Sequence, residues 1–123
     1  YQTLLSEETK DRLKDEILRI VVTEGKYKDK DYNTRKLAED LNTNSRYVSA
    51  VCATRFHKNY PELVNDYRVN DAMSLLTDKR YLKMTIEDIA EMAGFSTRQS
   101  FYSNFYKRLG VTPRQYRQDH LAK

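Results

Sequence analysis

The chain has little of what would cross-link it, metallate it or turn it sharply. Its 123 residues include one cysteine, two prolines, three glycines and no tryptophan. The single cysteine, Cys52, excludes an internal disulfide framework and fits a reducing compartment. The two histidines, His57 and His120, lie far apart and give no metal-ligand spacing, so neither metal nor cofactor is implied. So few glycines and prolines argue against a many-turned β fold and for helices joined by short connections. There is no run of 18 apolar residues and no signal-peptide core. The longest apolar stretch, residues 17–22, is interrupted by Arg19. No membrane contact and a cytoplasmic location are expected of this segment. With no nucleophile–base pair and no glycine-rich phosphate loop, an enzyme is not expected.

What is present is charge. Charged residues make up 33% of the chain against 39% apolar, and the net charge is +4. It is unevenly placed. Residues 1–33 hold 7 Lys/Arg and 8 Asp/Glu, whereas residues 34–123 hold 15 and 10. A basic balance confined to one part suits a lobe that binds a polyanion. The chain opens at Tyr1 rather than Met, so a longer protein with a sensing domain upstream is expected.

Apolar spacing predicts an all-α fold. A first helix starts at the cap Ser6 and stops at Gly25, with Leu13, Ile17, Leu18 and Val21 on one face. Residues 26–32 read as an exposed loop. Helices follow at about 34–41 and 45–56, then a long one at about 61–77 with Pro61 in its first turn. Three more are expected at 86–93, 97–109 and 113–121. The last opens on Thr112-Pro113, with Gln115 placed for a capping box.

A repeat carries the functional argument. Leu37-Ala38-Glu39-Asp40-Leu41-Asn42 recurs loosely as Ile89-Ala90-Glu91-Met92-Ala93-Gly94. In each copy a small Ala lets a second helix cross closely. Four residues later, Asn42 or Gly94 can take the positive φ that a sharp reversal needs. The following helices align at a separation of 53, which adds one residue to the second turn. Val48, Cys52 and Phe56 then match Phe101, Phe105 and Leu109 as a buried stripe, which makes Cys52 a core residue rather than a redox sensor. Rotation at 100° per residue puts Arg46, Ala50 and Ala53 on the opposite face of the first copy, and Gln99, Ser103 and Tyr106 on that of the second. Ser45 and Arg98 stand at the helix tips, with Ser49 and Tyr102 flanking. Arg pairs bidentately with guanine and Gln with adenine, while Ser and Ala let a helix approach base edges. A plain helical bundle with solvated faces would not need two such copies in register.

These residues resemble the AraC/XylS family of transcription regulators, from Asn33 to Arg117. The most specific pieces are Ile89-Ala90-Glu91-Met92-Ala93-Gly94-Phe95-Ser96 and the terminal Gly110-Val111-Thr112-Pro113-Arg114-Gln115-Tyr116-Arg117. Residues 67–76 are similar to the family's linker helix. The resemblance implies a bacterial, cytoplasmic DNA-binding output domain: two helix-turn-helix subdomains joined by a long linker helix, with an extra N-terminal helix. The divisions are then 1–32, connecting to an upstream domain; 33–60, the first unit; 61–78, the linker; and 79–123, the second unit with its C-terminal helix. Each recognition helix would enter a major groove of double-stranded DNA, about a turn apart. Arg46, Ser49 and Ala50 would face bases in one half-site, and Arg98, Gln99, Tyr102 and Ser103 in the other. Ser45, Thr34, Arg35, Thr85 and Thr112 would meet phosphates at helix starts. Lys107, Arg108, Arg114 and Arg117 suit phosphate contact and plain solubility equally, and the first three join the phosphate set.

Three departures from the family pattern stand out. Asn42 and His57 occupy positions where relatives usually carry Gly, and the first recognition helix is poor in base-reading side chains. The competing reading is a protein-interaction module with a degenerate helix-turn-helix. RNA polymerase is a candidate partner, as is a second copy bound through the upstream region. The first helix suits dimerisation or signal relay, but packing on the first unit is favoured. The ten tyrosines fall mostly on packing faces rather than forming a stacking platform, and Arg68 is set to pair with an acidic neighbour.

Overall fold

The computed structural model describes residues 5–121, and these are all-helical. Seven α-helices are found among the described residues: α1 Glu7–Leu18, α2 Thr34–Asp40, α3 Ser45–Val51, α4 Tyr60–Leu76, α5 Ile86–Ala93, α6 Arg98–Leu109 and α7 Pro113–Leu121. The chain forms two compact units, one up to Val64 and one from Asn65 on, so the boundary falls inside α4. No described helix is long and apolar enough to cross a membrane.

Most helix starts are written in side chains that satisfy the orphan N–H groups of a first turn. Ser6, Asn33, Asn44 and Thr97 each accept from the backbone N–H three residues on, at 2.9–3.1 Å. Two starts carry reciprocal boxes. Asn59 and Glu62 exchange bonds at the start of α4, as do Thr85 and Asp88 at the start of α5. At α7, Thr112 accepts from the Gln115 N–H at 3.1 Å. The Gln115 side chain donates to Asp119 rather than back to the cap.

In the first unit α1 packs on α3 and buries Leu13 and Ile17. Beyond Leu18 the helix widens into a π-helical turn over Arg19–Thr23, closed by Glu24 N–H on the Arg19 carbonyl at 2.8 Å. Ile20 and Val21, three and four residues beyond Ile17, share its buried face, and Leu18, expected there, stays half-buried. Gly25 ends the run at φ 77°. Arg55 pairs with Glu7 and with Asp11 (3.0 Å), and its hydrogen bond holds the Glu7 carboxyl below the usual carboxylate range.

Residues 26–32 depart from the expected exposed loop. Lys26–Lys28 form a 3₁₀ turn, and Tyr32 is a core residue, 7% exposed, whose hydroxyl donates to Asp40 at 2.6 Å. Burial and the Asp40 carboxylate both push the phenol pKa up. The alternation of Lys, Tyr and Asp conceals one inward position, because an isolated aromatic has no period to betray it.

The second unit closes around Val69, Ala72, Leu76, Ile89, Ala90, Ala93, Phe95, Phe101 and Phe105. Phe95, Phe101, Phe105 and Tyr116 form a run of tilted and edge contacts with centroids 5.1–5.6 Å apart, a favourable geometry for ring quadrupoles. On α4 the core positions here are Val69, Ala72 and Leu76. Tyr67, Met73 and Leu75 are only half-buried.

Candidate nucleic-acid interface

The repeated motif folds the same way twice. Asn42 sits at φ 55° and Gly94 at φ 106°. After α2, Thr43 N–H bonds the Ala38 carbonyl at 3.0 Å and Asn42 N–H bonds Glu39 at 3.1 Å. After α5, Phe95 bonds Ala90 at 3.0 Å and Gly94 bonds Glu91 at 3.1 Å. This is one left-handed C-cap arrangement used in both units. Each turn delivers the chain to a capped second helix. The cap falls two residues after Asn42 in the first unit and three after Gly94 in the second, which is the extra residue the alignment required.

The inner faces of α3 and α6 close the cores. Val48, Cys52, Phe101 and Phe105 are fully buried, and Phe56 and Leu109 half-buried. Burial in apolar surroundings raises the Cys52 thiol to about 11, the state of an inert core cysteine.

The outer face of α6 is open. Arg98, Gln99, Ser103 and Lys107 are exposed, and Tyr106 is 59% exposed. Arg98 lies over the half-buried Tyr102 ring, 4.7 Å from its centroid, and its Nε meets Glu87 of α5 at 3.0 Å. Neither Arg98 nor Gln99 is covered by the core, and both occupy the first turn, where a recognition helix reaches bases.

On α3, Arg46 and Ser49 are exposed and Ser45 half-buried, while Ala50 turns inward at 6% exposure. Helical rotation had placed Ala50 on the base-facing side. Both α1 and α2 pack on α3, so its buried arc is wider than one stripe and takes in Ala50. Ala50 cannot meet a base edge.

Among the expected phosphate contacts, Arg35 and Arg114 are exposed, Thr34 half-buried and Thr112 exposed. The first turns of α2, α3, α6 and α7 carry no acidic residue. The first turn of α5 differs. Thr85 N–H faces the Asp88 carboxylate, and Glu87 stands beside it, so negative charge already occupies the place expected for a phosphate. Arg108 is also redirected. Its guanidinium pairs with Asp66 of α4 and donates to the Asn104 carbonyl (3.2 Å) and side chain (2.9 Å), which ties α6 to α4 within the second unit.

Two pairings were invisible in the sequence. Arg117 donates to the carbonyls of Leu76 (3.0 Å), Tyr81 (2.8 Å) and Met84 (2.9 Å), anchoring α7 to the connection before α5. It is a structural clamp, and its equal candidacy for phosphate contact or solubility is superseded. Glu87, beside Arg98, lies eleven residues away on another helix, and no local spacing signals that pairing. Arg68 donates to Asn65 at 3.2 Å and lies over the Phe95 ring. Among the described residues no cluster of three or more His, Cys, Asp or Glu is placed to hold a metal.

Two helix-turn-helix folds, each with an exposed second helix, define a class of nucleic-acid-binding domain. Residues 37–119 match the family described as a helix-turn-helix domain, and the chain belongs to that family in its AraC type: a DNA-binding domain of transcription regulators, not an enzyme. Over 83 residues, 68% of the chain, it is 32% identical to the HTH-type transcriptional regulator YtdP of Bacillus subtilis (strain 168). Over 81 residues, 66% of the chain, it is 32% identical to the melibiose operon regulatory protein of Escherichia coli (strain K12). The matched part spans only 10% and 26% of those proteins. The solved C-terminal domain of the two-component response regulator yesN from Fusobacterium nucleatum is 28% identical at a TM-score of 0.75. That alignment covers 86% of this chain and 98% of that one.

Proposed function

We propose that this domain binds double-stranded DNA sequence-specifically as the output domain of a transcription regulator, with α3 and α6 each lying in a major groove and α6 reading most of the bases. The observation that carries this is the open face of α6. Arg98, Gln99 and Ser103 project from a helix whose opposite side is locked into an aromatic core, so the reading groups sit on a rigid support. Arg46 and Ser49 read the second block. Lys107 and Arg114, with Thr34, Arg35, Ser45 and Thr112 at helix starts, contact phosphates. RNA polymerase as a protein partner, pairing of copies through an upstream segment and a cytoplasmic location follow from the same reading.

Selection of bound duplexes from a random library, followed by salt titration of the winner, tests it. The expected result is a site of two blocks about ten base pairs apart with steep salt dependence. Gln99→Ala should then relax one position of one block, by about five- to hundredfold in discrimination. The inward turn of Ala50 leaves α3 few base-facing groups and favours a narrower variant, in which α3 only positions the protein; enrichment of a single block would establish that. No enrichment, with weak sequence-blind binding, would refute the proposal and favour a protein-interaction module.

A further inference from the structure

Arg98 is held in place before any ligand arrives. It has five N–H donors. Glu87 of α5 takes the Nε side at 3.0 Å, and one NH2 hydrogen points at the Tyr102 hydroxyl at 3.4 Å. The Tyr102 ring supports the plane of the guanidinium from beneath, 4.7 Å from its carbon, and is itself fixed edge-on against the buried Phe101 ring at 5.8 Å. The carboxylate thus stands against the Nε edge of the guanidinium as a charge partner and the ring lies against one face. The NH1 hydrogens and the second NH2 hydrogen are not used in these contacts, and they are the donors that can pair with the O6 and N7 of a guanine. An exposed arginine otherwise samples many rotamers and must lose that freedom on binding.

We propose that Glu87 is a positioning residue for base reading: with Tyr102 as platform, it orients Arg98 so that its terminal nitrogens meet one guanine. This rests on the reading of Arg98 as a base contact. It also assigns a use to a carboxylate that otherwise stands, unfavourably, near the phosphate backbone. Tyr102 then acts through Arg98 rather than by touching a base itself.

The test uses the chain as it is, with the selected duplex and duplexes substituted one base pair at a time. The variants are Glu87→Ala, Glu87→Gln, Arg98→Ala and the Arg98→Ala/Glu87→Ala double variant. Glu87 and Arg98 are exposed (53% and 65% of their side chains), and an unchanged circular dichroism spectrum and melting midpoint verify that each variant is folded. Arg98→Ala should abolish discrimination at one position. Glu87→Ala should lower discrimination at that same position by about two- to fivefold, the scale of an exposed ion pair, and leave other positions untouched. Glu87→Gln, which keeps the shape and removes the charge, should behave like Glu87→Ala, because the pair is a charge contact. In the Arg98→Ala background, Glu87→Ala should change no preference. Glu87→Ala that tightens every duplex equally with preference intact would overturn the proposal, leaving Glu87 as a mere repeller of phosphate. Arg98→Ala with full discrimination retained would remove the base-reading role of Arg98 and the proposal with it. Loss at Arg98→Ala with silence at Glu87→Ala would remove the Glu87 proposal alone.

Discussion

His57 offers a clean measurement of backbone strain. It follows α3 and its π-helical extension Cys52–Phe56, in the left-handed region at φ 57°, ψ 33°, with an exposed side chain. A residue with a Cβ loses about 1–2 kcal/mol there. Glycine escapes that cost but gives the unfolded chain more freedom, an offset of about 0.4–1 kcal/mol. His57→Gly should therefore stabilise the chain by about 0.5–1 kcal/mol, raising the melting midpoint by about 2–5 °C. The repeat supplies a control of opposite sign. Gly110, 53 residues on, occupies the equivalent place at φ 71°, and a Cβ added there would meet nothing within 4 Å. Gly110→Ala should then cost about the same amount through strain alone. Urea unfolding followed by circular dichroism reads both, provided the m-value is unchanged. His57→Ala keeps the strained backbone and should not stabilise. If His57→Ala gains as much as His57→Gly, or His57→Gly gains nothing, the strain argument fails.

Lys107 and Arg108 are neighbours with different fates: Lys107→Ala should weaken binding to all duplexes and lower the salt slope by about one. Arg108→Ala should leave that slope unchanged and instead destabilise the chain by about 1–3 kcal/mol through loss of its Asp66 and Asn104 bonds; a reduced slope would return Arg108 to the phosphate set. Arg117→Met strands three carbonyls and should lower stability by about 2–4 kcal/mol in urea unfolding, whereas a loss within a few tenths would show the clamp to be dispensable. The buried Cys52 thiol, raised to about 11 from 9.0, keeps its proton in the fold after the unfolded chain has lost it. Its contribution is full below pH 9 and is lost as pH rises toward 11, so stability should fall across that window less steeply in Cys52→Ala. Equal slopes in the two proteins would contradict the burial of the thiol.

The helices, their caps and the two reversals follow from short-range features of the chain. These are local matters: Ser6, Asn33 and Thr97 each satisfy a backbone group three residues away, and Asn42 and Gly94 supply a positive φ within their own turns. Exposure of Arg98, Gln99 and Ser103 was legible for the same reason, since a periodic apolar stripe fixes the face opposite it. Features that depend on partners remote in the chain emerge only on packing. Ala50 turned inward because α1 and α2 both cover α3, and Tyr32 found a core that no neighbour in sequence announced. Arg108 was drawn to Asp66, 42 residues away, and Arg117 to the Leu76 carbonyl, 41 residues away. A charged side chain on an amphipathic helix reads the same whether it faces water, a phosphate or a distant carbonyl. Only the packed fold brings one of those partners within hydrogen-bond reach and so determines which role the residue has.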